Sequence, residues 1–274
     1  MNPLQLVVGF LLSLLIACLG YRGRALAPSG VAGAILVGTP ILGLGGWTWG
    51  LLLIAFFLSS SLLSRYREGE KRGLAEKFAK VGGRDLGQAL ANGGWGALLA
   101  VVHAFRPHPL LFTAFVGAMA AVNADTWATE LGVLSPTPPR LITTGQKVPV
   151  GTPGGVSSLG LSASLAGALL IGLLALILER LAPGGNSTPS ARWLPVAASL
   201  GGLTGSLLDS LLGATVQGIY YCEACGKETE SRVHRCGATT RQVRGWRWLD
   251  NDGVNLLSSV VGSVVAGVVG GFAR

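Results

Sequence analysis

Residues 156–178 read VSSLGLSASLAGALLIGLLALIL, 23 positions without a charged side chain. A bilayer core about 30 Å thick is crossed by roughly 20 residues of α-helix, so this run reads as a transmembrane helix. Similar runs fall near residues 4–20, 28–45, 46–63, 88–104, 108–126, 194–215 and 253–271, which makes eight candidate spans. The first, Leu4 to Gly20, lacks a basic leading region and a small-residue cleavage site, and reads as a retained span rather than a signal peptide. The second and third are separated only by Gly45 and Gly46, which fits a tight hairpin or a broken helix. Composition agrees. Half of the 274 residues are apolar, 12% are charged and the mean hydropathy is +0.54, outside the range of a soluble domain of this length. The 42 glycines serve close helix packing and helix breaks. The expected fold is an all-α integral membrane protein of about eight helices, one transmembrane domain over residues 1–274.

Lys and Arg orient it. With the amino terminus outside, the inside segments hold Arg22, Arg24, the basic run from Arg65 to Arg84, Arg140, Lys147, and six more from Lys227 to Arg247. That is 17 of the 21 basic residues, an asymmetry that predicts both termini outside and the long loops 64–87, 127–155 and 216–252 in the cytoplasm. The net charge of +8 then reads as loop charge meeting anionic lipid, with no nucleic acid partner. Residues 183–190, rich in Gly, Pro and Ser, read as a plain linker on the outside.

Polar residues within spans are candidates for function. Arg84, Gln88 and Asn92 recur every four residues and are expected on one face of the fourth helix. Asp125 closes the fifth span, with Glu130 just beyond it. Five helical residues separate these two, about 140° around a straight helix. They can share a site only if the helix ends near Trp127, or they serve different partners. Asp209 lies late in the seventh span, and Asp250, Asp252 and Asn255 open the eighth. For Asp250 and Asp252, N-capping is the alternative reading. All of these residues fall at the predicted cytoplasmic face, where a generic bundle has no need of them.

Two loops carry further chemistry. Residues 143–155, TTGQKVPVGTPGG, combine glycines, hydroxyls and Lys147 just before a helix, as a phosphate cradle would. An ordinary re-entry loop is the other reading. Together with the acids this forms a candidate Mg²⁺–phosphate site, Mg²⁺ taking one or two carboxylates plus substrate phosphates. In the 216–252 loop, Cys222, Cys225, His234 and Cys236 match a tetrahedral Zn²⁺ ligand set. A cytosolic redox pair or plain reduced thiols are the alternatives. A closed set of four leaves no open position, so any zinc is expected to be structural.

The segments 88–94, 124–130, 151–155, 205–217, 222–236 and 251–255 together resemble the membrane family that includes animal transmembrane protein 19 and the phytyl-phosphate kinase of plants and cyanobacteria. The motif order is kept across nearly the whole chain. The resemblance implies an enzyme of a bacterial inner or thylakoid-type membrane, which transfers a phosphoryl group from CTP or another nucleoside triphosphate to phytyl or geranylgeranyl monophosphate. On that reading Asp125, Asp209 and Asp252 are the expected Mg²⁺ ligands, with Glu130 behind them. Lys147, Thr144 and the Gly151, Thr152, Gly154 and Gly155 backbone would hold phosphates, and Arg84, Gln88, Asn92 and Asn255 would orient substrates. A cytidylyltransferase acting on a lipid phosphate is the first alternative and a transporter the second. Oligomeric state stays open, a homodimer among the options.

Overall fold

The computed structural model describes residues 3–71, 83–182 and 189–272. Lys77 and Lys80 of the basic run and most of the 183–190 stretch lie outside them. The chain is mainly helical: α1 (Pro3–Arg22), α2 (Pro28–Pro40), α3 (Trp47–Arg65), the short α4 (Glu68–Lys71), α5 (Leu86–Phe105), α6 (Pro109–Gly132), α7 (Ser158–Leu181), α8 (Leu194–Thr215) and α9 (Asn251–Phe272). Among the described residues, seven segments are long and apolar enough to cross a membrane: Pro3–Arg22, Pro28–Gly45, Trp47–Arg65, Pro109–Gly132, Ser158–Leu181, Ala191–Thr215 and Asn251–Phe272. The eighth long helix, α5, spans 20 residues, but Gln88, Asn92 and four glycines lower its hydropathy.

Local chemistry sets the boundaries. α2 begins with Pro28 and runs into one π turn, Ile41–Gly45. Gly46 then takes φ +93°, a conformation open to glycine, and α3 starts at the next residue. The two are therefore separate spans joined at a sharp glycine turn, α3 meeting the π segment rather than packing along α2. Asp85 caps α5: its carboxylate accepts from Gln88 N at 2.9 Å, and Asp85 N donates to Gln88 Oε1 at 3.2 Å, a capping box. Ser157 caps α7, its Oγ accepting from Gly160 N at 3.1 Å.

Two expectations need correction. The fifth span does not end at 126, because α6 continues unbroken to Gly132. Its last turns carry Thr126, Thr129 and Glu130, which face a cavity rather than lipid and so hid the helix from hydropathy. The 216–252 loop departs from the expected all-α fold. It holds a three-stranded antiparallel sheet ordered β4 (Lys227–Thr229), β3 (Ile219–Cys222), β5 (Arg241–Arg244). A second small hairpin pairs β1 (Arg140–Leu141) with β2 (Gly155–Val156).

α6 is the central helix. Phe112, Thr113 and every residue from Phe115 to Ala124 are buried, and α6 packs on α7, α8, α9, α5 and α3. Lipid offers no hydrophobic drive between helices, so close approach of small residues supplies the contact. A Cβ on Gly262 would lie 2.6 Å from Ala121 Cβ and 2.9 Å from Gly201 O, so α9 touches α6 and α8 backbone to backbone there. Gly262→Val is expected to force the three helices apart and destabilise the fold by about 1–3 kcal/mol, read as a lower melting temperature in detergent. An unchanged melting temperature would contradict this packing. A buried amide also ties the bundle: Asn123 donates to Gly167 O at 2.8 Å and accepts from Ser59 Oγ at 3.0 Å. Asn123 thus joins α3, α6 and α7 and is used structurally.

The helices alternate in direction. The ends of α1, α3, α6 and α8 and the starts of α5, α7 and α9 therefore gather at one membrane face, and Pro3 and Phe272 lie at the other.

Candidate functional site

At the gathered helix ends lies a cavity of about 1190 Å³. Its wall includes Arg84, Gln88, Asn92, Asp125, Glu130, Gly151, Thr152, Gly154, Gly155, Asp209, Asp252 and Asn255, twelve of the fourteen side chains and loop residues singled out for the phosphate chemistry. Lys147 and Thr144 are not among its lining residues. Both are exposed on the β1–β2 hairpin, where Lys147 bridges to Arg140 and Thr144 Oγ1 accepts from Gln146 N at 3.3 Å. The glycine segment returns to the cavity after the hairpin tip, and the lysine does not return with it.

Each group is held in place by its own element. Asp125 comes from α6, Asp209 from α8 and Asp252 from the first turn of α9. Ser258 Oγ on α9 donates to Asp209 Oδ2 at 3.4 Å. Among the described residues, neither Asp125 nor Asp209 has a basic group within ion-pair distance. Asp250 is a cap, its Oδ1 accepting from Gly253 N at 3.0 Å; the capping alternative therefore holds for Asp250, and Asp250 and Asp252 both line the cavity. Gly154 has φ +81° and sits so close to α8 that a Cβ would fall 2.4 Å from Ala214 Cβ and 2.7 Å from Ser210 O. This contact sets the glycine segment against the helix turn that follows Asp209.

Glu130 and Asp125 both reach the cavity from one unbroken helix because they serve different partners. Glu130 pairs with Lys71 Nζ at 2.7 Å and accepts from Ser64 Oγ at 2.5 Å, which fastens α6 to α3 and α4. Arg84 does not belong to a helical stripe with Gln88, since α5 starts two residues later. Its backbone is clamped instead: Ala27 N donates to Arg84 O and Arg84 N to Ala25 O, each at 2.9 Å. Its guanidinium donates to Ser61 Oγ at 3.0 Å and lies over the Phe57 ring. Burial lowers the Arg84 pKa and the Glu130 charge opposes that; the group stays a cation. Gln88 lines the cavity while its side-chain oxygen serves the capping box.

Sequence reasoning missed several wall residues. Arg22 and Arg24, at the end of α1 and just beyond it, join Arg84 and Arg65 in the wall, Arg65 being a cation of the basic run that the sequence itself offers for holding an anionic substrate. Glu230, Arg232 and Arg247 come from the three-stranded sheet and its turns. Gln217 Nε2 donates to Glu230 Oε1 at 3.0 Å, and Arg232 donates to Arg247 O at 2.9 Å. α1 packs on α2, α2 on α5, and α5 on α6, whereas the sheet joins α8 to α9. The basic wall residues thus fall into two groups by element, Arg22, Arg24, Arg65 and Arg84 from α1, α3 and the segments beside α1 and α5, and Arg232 and Arg247 from the sheet and its turns, in one cavity with carboxylates from α6, α8 and α9.

The sheet carries the Cys/His cluster. Ligand atoms of Cys222, Cys225, His234 and Cys236 lie within 4.8 Å of one another. Cys222 Sγ is 3.7 Å from Cys236 Sγ, and His234 Nδ1 is 3.2 Å from Cys236 Sγ. Tetrahedral Zn–S bonds of about 2.3 Å would place two sulfurs roughly 3.8 Å apart, so the group has the dimensions to hold a metal ion. The His234 contact draws the Cys236 thiol down to about 6, and Cys236 in turn pushes the Cys225 thiol up to about 11. The four residues come from β3, the turn after it and the segment before β5, and so pin the sheet together.

A family profile described as integral membrane protein DUF92 matches residues 11–263. Protein PGR of Arabidopsis thaliana is 36% identical over 280 residues, covering 96% of each chain. An uncharacterized membrane protein of Methanocaldococcus jannaschii is 30% identical, covering 96% of this chain and 93% of its own. The chloroplastic protein VTE6 of Arabidopsis thaliana is 25% identical, covering 88% of this chain and 64% of its own. No solved structure matches at a significant level.

Proposed function

This chain belongs to the DUF92 family of integral membrane proteins, and from that premise we propose that it is an isoprenyl-phosphate kinase, transferring the γ-phosphoryl group of CTP or another nucleoside triphosphate to a lipid monophosphate. The observation that supports this best is the gathering of Asp125, Asp209 and Asp252, from three helices, with six arginines in one cavity at a membrane face. Phosphoryl transfer between two phosphorylated substrates asks for those groups: cations for each set of phosphates, and carboxylates for Mg²⁺. The isoprenyl class of lipid follows from the family resemblance.

Asp125, Asp209 and Asp252 would hold Mg²⁺, and two facing carboxylates without a basic partner suit a divalent cation. Mg²⁺ held by these carboxylates would supply neutralisation of the charge that develops in phosphoryl transfer. Within the Gly151–Gly155 segment Thr152 N and Gly155 N donate inside the loop, which leaves the N–H groups of Gly151 and Gly154 to meet phosphate oxygens. Arg84 and Asn92 orient a phosphate. The attacking oxygen of a lipid phosphate is already anionic, so the chain needs no strong general base. Cys222, Cys225, His234 and Cys236 would hold Zn²⁺ as a closed structural site beneath Glu230, Arg232 and Arg247. By the distribution of Lys and Arg, this face is cytoplasmic, where the nucleotide is found.

The test uses detergent-purified protein with Mg²⁺, geranylgeranyl monophosphate, and CTP labelled at either the α- or the γ-phosphate. Label reaching the lipid from the γ position alone is expected. Label from the α position alone would make the chain a cytidylyltransferase instead, and no transfer from any nucleotide would overturn the enzyme reading. Transporters centre their polar residues near the membrane midplane; here these residues crowd one face.

A further inference from the structure

The two basic groups of the cavity differ in their surroundings, and on the kinase reading above that difference separates the substrates. Arg22, Arg65 and Arg84 stand at the ends of membrane-spanning elements. Arg65 donates to Gly23 O, and Arg84 rests on Phe57 of α3. α1 and α3 meet here, since a Cβ on Gly20 would lie 3.0 Å from Phe57 Cζ. On α3, Leu58 and Leu62 are 54% and 67% exposed, one helical turn apart, and lead along the outer surface to Arg65. An exposed apolar stripe ending at a cluster of arginines is the shape of a phosphorylated lipid: tail along the leucines, headgroup among the cations.

Exposed Trp246 and Trp248, stacked 5.3 Å apart, flank Arg247, but they belong to the turn after β5 and not to a membrane-spanning helix; Arg232 and Arg247 differ from the other arginines in position. They stand beyond the helix ends, on the sheet, and they also line a second cleft of about 340 Å³ with Tyr220, Thr239, Thr240 and Gln242. Those residues bring hydroxyl, amide and guanidinium groups to a lining that is otherwise carbon. The Gln242 amide nitrogen donates to Gly245 O at 2.7 Å, so its oxygen is the atom left to accept from a ligand. Tyr220, Arg232 and Arg247 belong to both spaces, and a water-borne polyanion with a polar head can reach from the cleft into the cavity across the two arginines.

We infer that the cavity is divided between its substrates. The nucleoside triphosphate lies on the sheet side, its phosphates on Arg232 and Arg247 and its nucleoside in the small cleft. The lipid phosphate lies on the opposite side, on Arg84, Arg65, Arg24 and Arg22. The carboxylates of α6, α8 and α9 stand where the two meet. On this assignment the sheet is the nucleotide-binding element.

Three variants test it. Arg247→Gln removes a cation whose backbone, not its side chain, receives the Arg232 hydrogen bond, so the sheet keeps that tie. Arg84→Gln removes the opposite cation, and Arg24→Gln, on an exposed residue, repeats that test with little risk to folding. Binding of radiolabelled CTP with Mg²⁺ and of tritiated geranylgeranyl monophosphate is measured separately by equilibrium dialysis, with the melting temperature as a check on folding. R247Q is expected to weaken CTP about tenfold, as loss of one charge-assisted contact does, and to leave the lipid phosphate unchanged. R84Q and R24Q are expected to do the reverse. If R247Q binds CTP at full strength, or R84Q and R24Q weaken CTP instead of the lipid, the division is overturned while the kinase reading stands. If the unmutated protein binds no nucleotide at all, the kinase reading falls and takes the division with it.

Discussion

Asp209→Asn is expected to lower turnover by about a thousandfold or more while the protein melts and elutes as the unmutated chain does. Asparagine has nearly the same volume and keeps an oxygen for the Ser258 hydrogen bond, so the contacts between α8 and α9 survive. What it removes is one negative charge from the group formed by Asp125, Asp209 and Asp252. A carboxylate that binds Mg²⁺ in a phosphoryl-transfer site cannot be replaced by an amide without weakening the metal and the charge balance it provides, and losses of this size are typical where preorganised electrostatics carry the chemistry. The measurement is steady-state transfer of the CTP γ-phosphate to geranylgeranyl monophosphate over a range of Mg²⁺ concentrations. A partial return of activity at high Mg²⁺ would identify the defect as one of metal affinity. Full activity of D209N at ordinary Mg²⁺ would remove Asp209 from the metal site.

The seven apolar spans, the break at Gly45–Gly46 and the gathering of polar residues at one face could all be read from the chain, because a membrane segment must be both long and uncharged and any exception stands out. The reading failed where a helix faces the cavity. Thr126, Thr129 and Glu130 lowered the hydropathy of α6 and ended the fifth span six residues early. Periodicity misled at Arg84, whose spacing to Gln88 and Asn92 suits a helix that Asp85 begins only after it. Lys147 was placed by proximity in sequence to the glycines, and the β1–β2 pairing separates them in space. Glu230, Arg232 and Arg247 were missed because hydrophilic loop residues carry no periodic signal. A constraint was available all the same: α8 ends beside Asp209 and α9 begins beside Asp252, so any compact structure formed by residues 216–252 starts and finishes at the site and folds over it.

That geometry makes the Cys/His cluster the second sensitive point. Cys222→Ala is expected to abolish transfer although no cysteine lines the cavity. Cys222 is fully buried in β3, the middle strand of the sheet, with its sulfur facing those of Cys225 and Cys236 and the His234 ring. The sheet is too small to rest on its own apolar core: β3 has four residues, β4 three and β5 four. Domains of this size are commonly held by a metal, and its binding free energy then becomes folding free energy. Loss of one ligand would release the 222–236 segment, and with it Glu230 and Arg232 from the cavity wall; Arg247, tied to Arg232 through its carbonyl, would follow. The transmembrane helices do not depend on the cluster and should persist, so C222A should keep its helical circular dichroism and lose both transfer and CTP binding, with lipid-phosphate binding retained. Elemental analysis of the unmutated protein should give one zinc per chain and of C222A none. Zinc-free unmutated protein that retains full transfer would show that the sheet is held by its hydrogen bonds alone.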